Sequence, residues 1–502
     1  MQLRLHRWPA VALIAIAMAI LAAFAAATVS SAKTTYPALR PLVSDYVQMT
    51  HSTTPPTQAQ CASAGRRCFA PQAIQAAYHV GPLYDSGFDG SGSTIAIVDS
   101  YGSDTMAHDL NVFDTAFGIA PLCGEEGVTC TPGMPWFKEL AIQGSPATKA
   151  PPSSARNPGQ EDKSAWALEV ALDVEVSHAI APGANILLVH TPTAETLGVQ
   201  GYPQMMNAEQ YVIDHHLANI ISQSFGAAEE SFGSSQSLEN LRHAFKSAQQ
   251  NGVTVLASSG DGGSANAKKE PVAKGGTTIP YPTVAWPASD PLVTAVGGTY
   301  LCTDPLNTTS RTLDNVSPPA NCQNQNHEEI GWIASGGGFS HVFSKPAYQN
   351  TLPAGSYPIG SSRGIPDVGL QASSRTGALV YLSLPPDGQS GLHCPPSGDP
   401  CSTGWYDIGG TSLSCPQWAG LIAIADQING GGLGLVNPAL YTIGADPARY
   451  ANDFYDVTTG NNQADPSVPG YPAQTGWDPV TGLGTPNAAN LVPDLVAAVH
   501  GH

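Results

Sequence analysis

Five apolar runs of β type, most of them closed by a polar or acidic residue, constrain this chain more than any other feature. They are STIAIVDS at 93–100, ANILLVH at 184–190, NIISQSFG at 219–226, VTVLASSGD at 253–261 and PLVTAVGGT at 291–299. Continuous runs of this kind belong to parallel strands buried on both faces. Between them the pattern turns helical, with helices expected at 71–80, 163–180, 203–216 and 237–250. Strand and helix alternating at this spacing predict an α/β chain built on a doubly wound parallel sheet flanked by helices, with its functional loops at the C-terminal strand ends. Asp99, residues 222–226 and Asp261 all fall at such ends.

The length of 502 residues admits two or three domains, or one large α/β domain with embellishments. Only 12% of the residues are charged and the formal net charge is -19, against a usual charged share of about 25%. That balance excludes nucleic acid as a partner. It suits acid surroundings, because few salt bridges are there to be lost on acidification. Arg4 and Arg7, an apolar run and then Ser30, Ser31 and Ala32 read as an export signal over residues 1–32. The run is also long enough for an uncleaved membrane anchor. The remainder is expected to be secreted and extracellular, with no stable membrane association once the signal is gone. Residues 33–69 show no sustained periodicity and read as a short leader or prosegment, with the main body over 70–502. Residues 118–159 and 300–401 are rich in loops.

Nine cysteines fit that compartment. Cys61 with Cys68, Cys123 with Cys130, Cys302 with Cys322 and Cys394 with Cys401 are neighbours in Gly/Pro-rich loops and are expected to form four local disulfides. Cys415 is left over, expected as a buried free thiol.

Within GGTSLSCPQWAG at 409–420, two glycines lead into a Ser/Thr pair and a small-residue apolar helix running to about Ile428. Ser412 then sits near a helix N-terminus, where unpaired N–H groups favour a developing negative charge. Pro416 is expected in the first turn, where its missing donor costs little. Taken alone, the motif fits an ordinary Ser N-cap better, and only partners elsewhere in the chain reverse that preference. On the segment SAWALEVALDVEVSHAI, Glu169 and Asp173 are four residues apart and share one helix face. The apolar residues around them imply a low-dielectric setting in which two carboxyls share protons, leaving one suited to act as base or acid. Two acids on a wet face are the alternative. Asp261 closes ASSGDGG, where a protonated acid can donate to an oxyanion and an ionised one can cap a turn.

The order Glu169, Asp173, Asp261, Ser412, with the motifs ExxxD, SSGDGG, SGGGFS and GGTSLSCP, resembles the sedolisin family of serine-carboxyl peptidases, which share the subtilisin fold. The resemblance covers residues 70 to the C-terminus. It implies an acid-active serine-type endopeptidase acting on proteins or peptides, expected to be a monomer. Glu169 would be the base for Ser412, Asp173 would orient Glu169, and Asp261 would stabilise the oxyanion. SQSFG and SGGGFS then supply the substrate-binding candidates Ser224, Phe225, Gly226, Ser335 and Gly336. By the same resemblance NDFYDVTTGNN and YPAQTGWDPVTGLG form a site for one calcium ion, with side-chain oxygens from Asp456 and Asp478 and carbonyls from Val457, Gln474 and Gly476. Calcium favours such hard oxygen ligands. A glycine is usual at the Gln474 position. Sedolisins also carry a long folded propeptide, whereas here fewer than 70 residues precede the catalytic pattern.

Two rival readings follow from the same residues. One is a subtilisin-type Asp/His/Ser enzyme using Asp99 and Ser412, for which neither His108 nor His178 has a suitable glycine-flanked setting; His178, mid-helix, reads as structural. The other is a catalytically silent peptide-binding protein on the same scaffold.

Overall fold

A computed structural model describes residues 45–142, 158–192, 201–268, 277–323, 326–386, 388–395 and 397–501. The expected export signal at 1–32 lies outside the described residues. Among those residues no helix is long and apolar enough to cross a membrane.

The strands that position the site are β1 (Asp45–Thr50), β2 (Thr94–Ser100), β3 (Phe137–Ala141), β4 (Asn185–Thr191), β5 (Ile220–Gln223), β6 (Thr254–Ser258), β7 (Thr294–Leu301), β8 (Glu329–Gly331), β9 (Val368–Gln371), β10 (Ala378–Leu382) and β11 (Gly404–Gly409). In space, β3, β4, β2, β5, β6, β7 and β9 lie side by side and parallel, and β8 adds an antiparallel pairing to β7. The expected doubly wound parallel sheet is therefore present. The chain builds β3 and β4 on one side of β2 and β5 to β7 on the other. The crossovers change direction at β2, and such a switch point opens a crevice beyond the strand C-termini. Asp99 stands at that end of β2.

Helices cover both faces of the sheet, which is why its strands lack polar alternation. Ile95 and Ile97 point into a core shared with Leu168, Leu172 and Leu413, from α2 (Pro158–Ile180) and α5 (Thr411–Asn429). The intervening Ala96 and Val98 pack on the opposite side with Met205, Met206 and Phe245, from α3 (Gly201–Asp214) and α4 (His243–Asn251). The helix expected at 237–250 is thus two pieces, Ser235–Glu239 and α4.

A smaller antiparallel sheet has the order β1, β11, β10. Its presence revises the reading of 33–69 as an aperiodic stretch apart from the body. From Asp45 onward the chain is built in, and residues 58–63 form a helix closed by a capping box between Thr57 and Gln60. Six residues of strand and six of helix are too short to produce a periodic signal, so their placement comes from tertiary partners.

All four expected disulfides form, Cys61–Cys68, Cys123–Cys130, Cys302–Cys322 and Cys394–Cys401. Cys415 is free and buried. Burial pushes its thiol up to about 12, which keeps it un-ionised and inert.

Candidate active site

Strand β11 runs through Gly409 and Gly410 directly into α5. A side chain at Gly409 would collide with the backbone of Ser374 and Ala372, and Gly410 has φ 128°, a conformation favourable to glycine alone. Ser412 follows as the second residue of α5 and is fully buried. The helix ends at Asn429, one residue beyond the expected Ile428, and Gly430 follows in the left-handed conformation. Pro416 differs from expectation: it is the sixth helical residue, not part of the first turn. Its missing N–H leaves the Ser412 carbonyl without the usual i+4 donor. Thr411 ties this turn to the end of β6. Its Oγ1 accepts from Gly260 N at 3.0 Å, its carbonyl accepts from Ser258 Oγ at 2.9 Å, and its N–H donates to Asp261 Oδ1 at 2.7 Å.

Helices α2 and α5 run in parallel contact. Ser177 Oγ donates to the Pro416 carbonyl at 3.3 Å, and at Gly420 a Cβ would come within 2.7 Å of Ile180 Cβ. This closeness brings Glu169 opposite Ser412. Glu169, Asp173 and Asp99 are all fully buried, contrary to the wet-face alternative. Burial drives Glu169 well above the usual carboxylate range, Asp99 and Asp261 push it further, and the Ser412 and Ser224 hydroxyls act the other way. Ser412 Oγ and the Glu169 oxygens face each other without a closed hydrogen bond, as is common before substrate binds. Asp173 is likewise raised, by burial and then by Asp99 and Glu169, while Ser224 Oγ donates to its Oδ1 at 2.9 Å. Burial lifts Asp99 to about 8. Three carboxyls thus crowd one dry space and hold protons in common. Sequence reading placed Asp99 at a strand end without joining it to the acid pair, since nothing in the spacing reveals which strand end faces α2.

Of the substrate candidates, Ser224 commits its hydroxyl to Asp173, and the Phe225 ring is buried 6.0 Å from Tyr202, so only backbone is left there for a ligand. Ser335 is also structural: its Oγ accepts from Gly298 N at 2.8 Å and donates to the Val480 carbonyl at 2.6 Å. Gly336 N donates to the Gly260 carbonyl at 2.7 Å, which lays SGGGFS along the loop that carries Asp261. Gly226 is partly exposed. A cavity of about 290 Å³ opens between residues 101–105 beyond β2, Lys163, Ser164 and Ala167 of α2, and residues 383–385.

Neither histidine reaches Ser412. His178 Nε2 contacts Asp114 Oδ2 at 3.1 Å and the Ala120 carbonyl at 3.2 Å in the core, and His108 pairs with Glu126 at the surface.

The sequence pattern of the subtilase family matches residues 159–433, more than half of the chain. The chain belongs to the subtilase family, in its sedolisin branch. It is 29% identical over 444 residues to kumamolisin of Bacillus sp. (strain MN-32), covering 88% of this chain and 66% of that one. To sedolisin of Pseudomonas sp. (strain 101) it is 30% identical over 318 residues, covering 63% and 47%. The chain therefore spans about half to two thirds of the length of these relatives. The structure of Pseudomonas sedolisin, a serine-carboxyl proteinase complexed with two molecules of pseudo-iodotyrostatin, superposes with a TM-score of 0.60 at 25% identity, covering 85% of this chain and 98% of that one. The subtilisin-like fold follows.

The calcium candidates of this sedolisin-type chain lie in one place. Gly476 N donates to Asp456 at 3.1 Å and Gln474 N to Asp478 Oδ2 at 3.0 Å, and the Tyr450 hydroxyl senses both carboxylates. Asp478 is fully buried, and burial raises it to about 7. The Val457, Gln474 and Gly476 carbonyls take no hydrogen bond from a described residue. Two acids without a basic partner among the described residues, beside these three carbonyls, fit a hard cation.

Proposed function

We propose that the chain is a secreted, acid-active serine-type endopeptidase that hydrolyses peptide bonds in proteins or peptides through an acyl-enzyme. The observation that carries this reading is the buried meeting of Glu169 with Ser412, backed by Asp173. Ser412 Oγ attacks the peptide carbonyl carbon, and its proton passes to Glu169 in its ionised form, the protons shared among the three carboxyls then sitting on Asp173 and Asp99. Asp173, held by Ser224, fixes the Glu169 carboxyl, and a protonated Asp261 donates to the developing oxyanion. Thr411 holds the Asp261 carboxyl beside Ser412. As the C–N bond breaks, Glu169 returns the proton to the leaving amine; water then repeats the cycle on the ester. The cavity between β2 and α2 is suited to a substrate side chain, and four disulfides agree with an extracellular setting.

Incubation with a peptide aldehyde at pH 4 is expected to give one covalent adduct, mapped by mass spectrometry to Ser412. No adduct together with retained peptide binding would assign the silent binding protein instead.

We assign one calcium ion to Asp456, Asp478 and the carbonyls of Val457, Gln474 and Gly476. The bound ion would neutralise the buried Asp478 and the partly exposed Asp456 and tie the C-terminal loops together. Removing it with a chelator, or Asp478→Ala, is expected to lower the melting temperature, with a loss of about 4 kcal/mol of stability where calcium stood a thousandfold above its Kd. An unchanged melting curve after full metal removal refutes the assignment.

A further inference from the structure

We propose that residues 45–69 are a permanent part of the working protein, that any N-terminal processing ends before Asp45, and that Asp45 is a positioning residue for the turn that seats Ser412. A removable segment lies on the surface and leaves a complete body behind. This one does neither. Strand β1 pairs with β11 from Asp45 opposite Gly409 to Thr50 opposite Trp405, and β11 is the strand that delivers Ser412. At Gly404 a Cβ would collide with the Thr50 carbonyl, so β11 is shaped to have β1 beside it. Gln48 adds a side-chain bond to the Ser402 carbonyl at 2.8 Å.

The residues after β1 are sunk deeper. Arg66 is 5% exposed; it donates to the Ser374 carbonyl at 2.9 Å and to Asp45 at 3.0 Å, and lies 3.8 Å from Asp407. Asp407 is fully buried on β11, and Arg66 is the first of the cations that offset the burial raising its pKa. Loss of Arg66 would leave that carboxyl unbalanced in the core. Arg67 is buried too, bonding Asp314 at 2.6 Å. Cys61, Cys68 and Phe69 are fully enclosed, and the backbone of Phe69 bonds Gly377 and Leu379 of the β10 edge.

The link to the nucleophile is short. Ser374 Oγ donates to Asp45, the Ser374 backbone abuts Gly409, and Gly410 N donates to the Ala372 carbonyl at 2.6 Å. Asp45 therefore pins the segment 372–374 on which the two glycines before Ser412 rest.

Intact mass and N-terminal sequencing of the secreted chain, reduced and denatured, test retention. One N-terminus upstream of Asp45 is expected; a folded, cooperatively melting secreted chain beginning anywhere from Tyr46 to Ala70 overturns it. That readout makes no use of the aldehyde adduct, so failure of the peptidase reading is separately visible. For positioning, which does rest on that reading, Asp45→Asn is expected to lower kcat about tenfold with KM little changed, the scale set by small misplacements of a reacting group. Gln48→Ala loosens the same strand away from Ser374 and is expected to lower the melting temperature with kcat intact. Equal kcat for wild type and both variants overturns the positioning role.

Discussion

Glu169→Gln and Ser412→Ala are each expected to remove nearly all turnover, a loss of roughly 10⁴-fold or more in kcat, as for other nucleophile and base pairs. The double variant should be no worse than either single one, because the two act as one unit. Glutamine keeps the volume and buried setting of residue 169 while losing the capacity to take the Ser412 proton, so the melting temperature in acid should hardly move. Asp173→Asn should be impaired less, since it disturbs only the aim of Glu169. kcat/KM on a peptide substrate at pH 4 measures all four. A Glu169→Gln enzyme of near wild-type rate, with a histidine variant dead, would restore the subtilisin-type reading.

Stability is expected to be highest in acid and to fall as pH rises. Burial raises Glu169, Asp173, Glu175, Glu209 and Asp407 well above the usual range, and Asp426 to about 8. A carboxyl whose folded pKa lies above its unfolded value contributes stability fully present below about pH 4, and this is lost as pH rises through the folded pKa. All of these carboxyls act in the same direction, so their losses accumulate as pH rises. Glu209 isolates the effect, since no described residue hydrogen-bonds either of its buried oxygens. Glu209→Gln should match wild type or fall below it at pH 3 and be the more stable at pH 7. Thermal melts at pH 3, 5 and 7 decide this; a wild-type melting temperature that stays level or climbs over that range contradicts it. Activity should fade in the same direction for a separate reason, because Asp261 must carry a proton to donate to the oxyanion.

The sheet was readable in the sequence because its strands are buried on both faces and so appear as unbroken apolar runs. ExxxD was readable because both acids fall on one face of a single helix. The four disulfides were readable from short spacings in Gly/Pro-rich loops. What stayed hidden depended on contacts between distant segments. Asp99 joins the acid pair only once β2 has packed against α2, and β1 is recognisable only beside β11. Pro416 was placed one turn too early because helix onset at Thr411 is fixed by the Gly409–Gly410 turn, not by residue preference. Ser335 lies in a motif that suggested substrate contact, yet its hydroxyl bridges Gly298 and Val480.

The absence of a side chain at Gly420 reaches further than packing. It lets α2 and α5 touch backbone to side chain two turns beyond Glu169 and Ser412, so the proposed base and nucleophile ride on one welded pair with no hinge between them. Heating such a molecule offers no half-open state in which Glu169 has drifted from Ser412 while the sheet survives. Catalysis and the fold should fail together, at one temperature.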